Sequence, residues 1–155
     1  FKKNKNGVNV IDKGIKSFNN EIINNKKFWS IKSSHDGYLN DYGTIHERTI
    51  EFYPEINKII GKDKLIKKKN FKSSGFEIRF HLMPYSKVTK IQDSKSVLIE
   101  LENSGWKFSS NHGSIDVETG LYFGKKNKFV ENQNIFISGI TSKKNENISW
   151  KLNKI

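Results

Sequence analysis

Polar and apolar residues alternate along short stretches of this chain, most clearly over residues 76–82. One face of that stretch would carry apolar side chains: Phe76, Ile78, Phe80 and Leu82. The other face would carry polar ones: Glu77, Arg79 and His81. Strict period-two alternation is typical of a strand that is buried on one side. The pattern therefore predicts a half-buried β-strand here.

Similar short stretches recur along the whole chain, separated by turn residues such as Asp36-Gly37 and Met83-Pro84. The predicted strands cover residues 8–12, 27–33, 45–52, 57–66, 76–82, 87–92, 96–102, 106–109, 115–118, 121–123, 134–140 and 147–152. Residues 15–25 are rich in Asn and carry no helix cap, and we expect a loop there. Frequent short strands predict an all-β fold, an antiparallel β-sandwich of about ten to eleven strands. We expect residues 1–155 to form a single domain.

Composition supports the β prediction and narrows the possible partners. The chain lacks Ala and Cys and contains 20 Ile and 11 Phe, which favours strands and excludes disulfides and thiolate metal sites. Of its 28 cationic residues 26 are Lys, scattered along the chain, whereas nucleic-acid binders cluster their charge and use Arg. No apolar run approaches the roughly 20 residues of a membrane span. We therefore predict neither a nucleic-acid partner nor a membrane span.

The usual catalytic motifs are absent from the sequence. The four His residues lack the spacing of a zinc protease, no Ser lies in a nucleophile elbow, and the Gly residues are dispersed at turns. The two Arg residues, however, each lie two positions from a His, as His46 with Arg48 and Arg79 with His81. Residues two apart on a strand share a face.

Two interpretations of these His–Arg faces remain open. The planar fork of Arg suits carboxylates, so a carboxylate-bearing ligand could lie on that face. Alternatively, each Arg forms an internal ion pair with Glu47, Glu51 or Glu77, which is the interpretation we favour.

Residues 34–38, with the sequence Ser-His-Asp-Gly-Tyr, offer a second candidate. His35 beside Tyr38 is compatible with proton transfer at a sugar carbon. The competing interpretation is a turn in which His35 only hydrogen-bonds the backbone. The three Trp residues could stack on sugars, but each lies in a strand-like stretch, which favours core packing: Trp29, Trp106 and Trp150.

Three segments, in this order, resemble the C-terminal region of heparinase II/III-like proteins. They are Ser34-His35-Asp36-Gly37-Tyr38, Thr44-Ile45-His46-Glu47-Arg48-Thr49-Ile50 and Glu77-Ile78-Arg79-Phe80-His81-Leu82-Met83-Pro84. The resemblance extends from about Lys27 to the end of the chain. It implies the β-sandwich part of a polysaccharide lyase whose N-terminal α/α toroid is not in this sequence. Since the chain begins with Phe1, we also expect it to be a C-terminal fragment of a longer protein.

The resemblance further implies an activity and a division of labour. Such lyases, including alginate lyase-like relatives, cleave uronate-containing acidic polysaccharides by β-elimination, with catalytic groups upstream of the region present here. We therefore expect no catalytic residue, metal ligand or cofactor in this chain; the family's metal-type His would fall on Asn6. The expected partners are the toroid of the same protein and an acidic polysaccharide, in a bacterial periplasmic or secreted location.

The residues we expect to face the substrate are His35, Tyr38, His46, Arg48, Arg79 and His81. The fragment alone should be inactive, supporting the toroid and lining the substrate cleft. The alternatives are a non-catalytic module that binds acidic carbohydrate and a purely structural sandwich.

Overall fold

The computed structural model describes residues 2–10, 14–91, 95–125, 128–142 and 145–155. Its strands are β1 (Lys2–Lys3), β2 (Asn9–Val10), β3 (Ser17–Asn24), β4 (Trp29–His35), β5 (Thr44–Tyr53), β6 (Lys58–Lys67), β7 (Gly75–His81), β8 (Lys87–Lys90), β9 (Ser96–Leu101), β10 (Ser104–Ser110), β11 (Ile115–Lys125), β12 (Lys128–Ile140) and β13 (Glu146–Lys154). A four-residue helix, α1 (Leu39–Tyr42), and a 3-10 turn (Pro54–Ile56) complete the elements. Nowhere in the described ranges is there a helix with the length and apolar character needed to cross a membrane.

Most strands belong to two antiparallel sheets of unequal size. The large sheet has eight strands in the order β3-β4-β5-β6-β13-β10-β9-β8, and the small sheet has three in the order β11-β12-β7. β1 and β2 form a separate two-stranded ribbon. The eleven strands of the two main sheets confirm the predicted all-β antiparallel sandwich.

The core lies between the small sheet and only part of the large one. The ring centroid of Phe80 in β7 lies 4.7 Å from that of Phe108 in β10 and 4.8 Å from that of Trp150 in β13. The buried apolar side chains all lie in β7 and β9–β13: Ile78, Val97, Ile99, Phe108, Ile115, Ile135, Ile137, Ile148 and Trp150. Among the described residues, β3–β6 contribute no fully buried apolar side chain. Ile50 of β5 and Ile59 and Leu65 of β6 only pack partly buried against this core, so the small sheet leaves the inner face of the large sheet uncovered toward β3 and β4.

A glycine makes room for the largest core side chain. Gly61 in β6 lies opposite Trp150 in β13, and a Cβ added to Gly61 would lie 1.9 Å from the Trp150 ring. Glycine normally weakens a strand, but it is suited to places where another group must approach the backbone closely. The indole of Trp150 therefore lies flat across β6.

The prediction of a loop at residues 15–25 is wrong, because Ser17–Asn24 forms edge strand β3. It pairs with β4 through partners such as Ile22 with Ile31, and a register shift lies between Phe18 and Glu21. Backbone pairing to an existing sheet supplies the hydrogen bonds that an Asn-rich segment cannot secure by its own propensity. Asn19 takes a positive φ of 52° within the shift, a conformation that Asn tolerates well.

Residues 115–118 and 121–123 are likewise not two strands around a turn at Thr119-Gly120. They belong to the single strand β11, which stays in register with β12 from Ile115 to Tyr122. Glycine here lies in a strand because the Asn134 and Asn132 side chains of β12 occupy the place a Cβ would take. Ile11, Asp12 and Gln92, which end two other predicted strands, lie outside the described residues.

The prediction of core packing is right for two of the three tryptophans. Trp150 is buried and Trp106 is packed half-buried against the core, as predicted. Trp29 is 38% exposed and rests against Phe52 on the uncovered part of the large sheet, so core packing is wrong for this residue.

We expect Gly61→Ala to destabilise the fold by about 1–3 kcal/mol, because the added methyl group overlaps the Trp150 ring. Urea unfolding monitored by Trp fluorescence measures this loss. Gly14→Ala is the matched control, since a Cβ at Gly14 meets no atom within 4 Å. Equal midpoints for the two variants would contradict the packing of Trp150 across Gly61.

Candidate functional site

A buried carboxylate connects three strands on the inner face of the large sheet. Asp63 in β6 is 1% exposed. Its Oδ1 accepts hydrogen bonds from His46 Nε2 at 2.7 Å and from Arg48 Nε at 2.6 Å, both in β5. Its Oδ2 accepts one from Trp150 Nε1 in β13 at 2.9 Å. Burial would raise the pKa of Asp63, but the hydrogen bonds from His46, Arg48 and Trp150 and the Arg48 charge outweigh it and lower the pKa. Asp63 is therefore an anion at neutral pH.

The hydrogen bonds at the two ends of a series fix where the protons of His35 and His46 lie. His35 Nδ1 accepts the Gly37 backbone N–H at 3.2 Å, so the proton of the His35 ring is on Nε2. That Nε2 lies 3.0 Å from His46 Nδ1 and donates to it. His46 Nε2 in turn donates to the Asp63 carboxylate, which can only accept. All four ring nitrogens therefore have partners inside the chain.

Burial, with the nearby His46, lowers the pKa of His35, and the Arg48 charge acts in the same direction. The Asp36 carboxylate opposes this effect in part. His35 consequently keeps its neutral form through the neutral pH range.

These residues form one wall of a cavity of about 480 Å³ between the large sheet and β7. The lining of the cavity is more apolar than polar, and its polar part combines cationic, hydroxyl, imidazole and carboxylate groups: His35, Tyr38, Tyr42, Thr44, His46, Arg48, Leu65, Ser74, Gly75, Phe76, Glu77, Ile78, Arg79 and Thr141. The large sheet extends past the small one, so β7 ends the cover and the cavity opens beside it.

Tyr38 and Tyr42 reach the cavity from the short connection between β4 and β5. Their rings lie 6.4 Å apart, and the Tyr38 ring lies 5.2 Å from that of His35. Gly43 ends helix α1 with a φ of 61°, and a Cβ there would lie 2.4 Å from the Asn70 backbone. Only glycine allows both the left-handed turn and this close approach, so Gly43 helps to position the two tyrosines.

On the opposite wall, Arg79 is more fully neutralised than Arg48. Its Nε and Nη2 donate to Glu77 Oε2 at 2.9 and 2.7 Å, and its Nη1 pairs with Glu118. Arg48 bonds Asp63 through Nε alone, and none of the described residues accepts a hydrogen bond from its terminal nitrogens. The Arg48 side chain is 38% exposed, so this free edge of the guanidinium is accessible.

Five of the six residues predicted to face a ligand come together at this cavity: His35, Tyr38, His46, Arg48 and Arg79. His81 lies outside it, exposed, with Nδ1 3.1 Å from Asn134 Oδ1. The structure therefore divides the two His–Arg pairs: the first contributes both members to the cavity and the second only Arg79.

The preferred interpretation of internal ion pairs is confirmed for both arginines, but the expected partner of Arg48 is wrong. Arg48 pairs with Asp63 rather than with Glu47 or Glu51, because those two lie on the opposite face of β5. The interpretation of His35 as a turn residue that only hydrogen-bonds the backbone is wrong: His35 accepts the Gly37 N–H, but it ends strand β4 and also bonds the His46 side chain. Sequence reasoning missed Asp63, although an acidic residue at an inward position of a predicted strand was a usable signal.

In the described part of the chain, no group of three or more His, Cys, Asp or Glu side chains is arranged to hold a metal ion. The arrangement at the cavity instead suits an anionic ligand, held by the free edge of Arg48 and by tyrosine hydroxyls.

We expect Asp63→Asn to lower the free energy of unfolding by about 2–3 kcal/mol, because hydrogen bonds to a buried charged group are lost. Chemical denaturation at pH 7.5 measures the change. Asp116→Asn is the control, since Asp116 pairs with Lys90 at the surface with 38% of its side chain exposed. That control should cost less than about 1 kcal/mol. Similar losses in the two variants would rule out a special role for Asp63.

Stability should also fall as the pH drops below 6.5, the ordinary pKa of His. Since the folded chain holds the His35 pKa below that value, the unfolded chain binds more protons in this range, and protonation favours unfolding. Urea midpoints between pH 7.5 and 5 should show the fall, and His35→Asn should show less of it than His81→Asn. The Asp63 contribution is lost only below its ordinary pKa of 3.8, outside this range. Identical slopes in both variants would contradict the assignment to His35.

Comparison with known proteins places the chain in a family. The family model described as "Heparinase II/III-like, C-terminal" matches residues 8–151. No functionally curated protein matches the chain.

Solved structures share the fold at low identity. The heparan sulfate lyase HepC from Pedobacter heparinus gives a TM-score of 0.77 at 12% identity, covering 90% of this chain and 22% of that one. A heparinase III, the BT4657 gene product, gives 0.74 at 12% identity, covering 90% and 21%. The chain thus spans about a fifth of the length of these proteins. Because the family model covers nearly the whole sequence, the chain belongs to the heparinase II/III-like family, within its C-terminal region.

Proposed function

We propose that this chain is the β-sandwich part of a polysaccharide lyase that cleaves uronate-containing acidic polysaccharides by β-elimination. The names of its structural neighbours, a heparan sulfate lyase and a heparinase III, support this class of substrate. The same class of substrate, of heparan or alginate type, supports a periplasmic or secreted location.

The proposal that this part of the protein binds substrate rests on one observation, the free edge of the Arg48 guanidinium. A guanidinium presents parallel N–H groups that match a carboxylate, and here that edge faces a cavity rather than another residue. Asp63 holds the guanidinium in place through Nε, so the fork is ordered before any ligand arrives. Tyr38 and Tyr42 add hydroxyl donors on the same wall. We infer that this cavity lines the substrate cleft and holds a uronate carboxylate.

The ring nitrogens of His35 and His46 argue against catalysis by this piece alone. A general base needs a free nitrogen within reach of the proton that it removes. Both nitrogens of each ring are hydrogen-bonded within the chain. The proton-transfer groups of a β-elimination would therefore come from the N-terminal part of the protein. The same observation favours the second candidate, a non-catalytic module that binds acidic carbohydrate.

An exposed apolar surface supports the second part of the proposal, contact with an N-terminal toroid. We call this surface the open shelf; it lies on the uncovered inner face of β3–β5 and consists of Ile22, Trp29, Ile31 and Phe52. Ile22 is 77% exposed and Ile31 is 46% exposed. Contiguous apolar surface of this kind marks an interaction site. The open shelf adjoins the cavity through β4 and β5, so a domain seated on it would also face the cavity.

We expect the chain to bind a heparan sulfate or alginate oligosaccharide, and Arg48→Lys to weaken that binding about tenfold. Lysine keeps the charge beside Asp63 but lacks the planar fork. Isothermal titration at constant ionic strength measures the affinity. Lys64→Gln, on the opposite face of β6, is the control for diffuse charge and should bind nearly as wild type. Equal affinity in wild type and Arg48→Lys would refute a carboxylate site at Arg48.

The isolated chain should release no unsaturated uronate product from either polysaccharide, since its histidine nitrogens are all engaged. Absorbance of the unsaturated product over a long incubation checks this. Clear turnover by the chain alone would contradict the division of labour proposed above.

A further inference from the structure

The His35–His46 pair has no place for an additional proton without loss of a contact. In the neutral pair, one proton bridges His35 Nε2 to His46 Nδ1 and another bridges His46 Nε2 to Asp63. If either ring takes up one more proton, a hydrogen must appear at His35 Nδ1 or between the two rings. The first position faces the Gly37 N–H, a donor against a donor, and the second places two hydrogens in a 3.0 Å gap.

The contact with Gly37 is the weakest member of the series. It is 3.2 Å long and lies at the exposed end of the series, next to Asp36, which is itself held by hydrogen bonds with Lys16 and Leu39. The contact between His46 and Asp63 is 2.7 Å long and partly buried. An extra proton is therefore accommodated most cheaply by a shift of the Gly37 N–H within the turn at residues 36–37.

Moving that turn would alter the cavity directly. Tyr38 follows it in sequence, and its ring packs against His35 at a centroid distance of 5.2 Å. The released Nδ1–H of His35 would then be a charged donor on the cavity wall that already carries the free edge of Arg48.

The charged and titratable groups around His35 are these. On β5 lie His46 and Arg48, on β6 lies Asp63, on the turn and α1 lie Asp36, Tyr38, Asp41 and Tyr42, and across the cavity on β7 lie Glu77 and Arg79. β3 contributes Ser17 as the strand partner of His35, and the Lys16 backbone N–H bonds Asp36. Asp36 is the acidic group that favours protonation, and Arg48 is the cation that opposes it.

We propose that the His35–His46 pair is an acid-operated latch: uptake of one proton releases the Gly37 N–H, and the cavity then binds carboxylate-bearing sugars more tightly. The nature of the ligand rests on the function proposed above, whereas the latch does not. Carboxylic acids titrate near pH 4, so a uronate remains an anion at pH 5. His35 takes up its proton below the ordinary pKa of His. By linkage, a bound uronate must raise the His35 pKa to the same extent that protonation tightens binding.

NMR on the ¹⁵N-labelled chain between pH 8 and 5 tests the latch. The Gly37 amide should lose its hydrogen-bonded shift and exchange faster with water, with the same midpoint as the His35 ring. His35→Asn places an amide oxygen where Nδ1 stood, so Gly37 should stay latched at every pH. His35→Gln keeps a donor toward His46 but no acceptor for Gly37, so the turn should be released already at pH 7.5.

Titration with glucuronate and with a short heparan sulfate oligosaccharide tests the consequence for binding. Wild-type affinity should rise about fivefold or more from pH 7.5 to pH 5. His35→Asn should abolish most of that rise, and His81→Gln, outside the cavity, should keep it.

If the Gly37 amide shift does not change as the His35 ring titrates, the latch is overturned even if uronates bind. It is also overturned if uronate affinity depends on pH in His35→Asn as strongly as in wild type. The wild-type Gly37 result decides the matter if a variant fails to fold. A latch that opens with no uronate binding at any pH would instead overturn the proposed ligand and the binding half of this inference.

Discussion

The Asp63 carboxylate is the constraint on which the site depends. It is buried between β5 and β13, and it is tolerated there because three donors from two neighbouring strands surround it. Each donor is in turn oriented by the bond: Trp150 lies across Gly61, His46 takes one tautomer, and Arg48 turns its free edge outward. A buried charge left without such partners would cost several kcal/mol, so these side chains are stable only as a set. The interaction that joins the core to the cavity is therefore electrostatic rather than apolar.

The unequal sheets explain why the cavity and the open shelf exist. Eight strands are covered by three, and the cover ends at β7. Beyond that edge the inner face of the large sheet changes from apolar at Trp29 and Phe52 to polar at His35 and His46. The apolar end provides contact area for a neighbouring domain, and the polar end provides charge and hydroxyl groups. A single strand pair, β4 with β5, thus joins a proposed docking surface to a proposed ligand site.

The hydrogen bonds of His35 and His46 support the proposal that this part of the protein binds substrate but does not catalyse proton transfer. An imidazole with both nitrogens engaged orients its neighbours and responds to pH, but it offers no lone pair to a substrate. Arg48 shows the opposite design, since one edge is anchored and the other is free. The solved structures that share this fold are about four times as long as this chain. Such a division is consistent with the proposal that the sandwich holds substrate while another part of the protein moves protons.

Period-two alternation and turn residues were sufficient for the fold class, because these signals are local to each strand. The same alternation placed His46 with Arg48 on one face of β5. It failed at β3, since an Asn-rich edge strand is stabilised by its neighbour and not by its own residues, and at Gly120, where side chains of β12 fill the space of a Cβ. Three features of the site depend on strand order and on where the small sheet ends. They are the pairing of Arg48 with Asp63, the position of His81 outside the cavity, and the series of hydrogen bonds from Gly37 to Asp63. Those are long-range facts, because Asp63 and Trp150 are 87 residues apart in the chain and meet only when β6 pairs with β13.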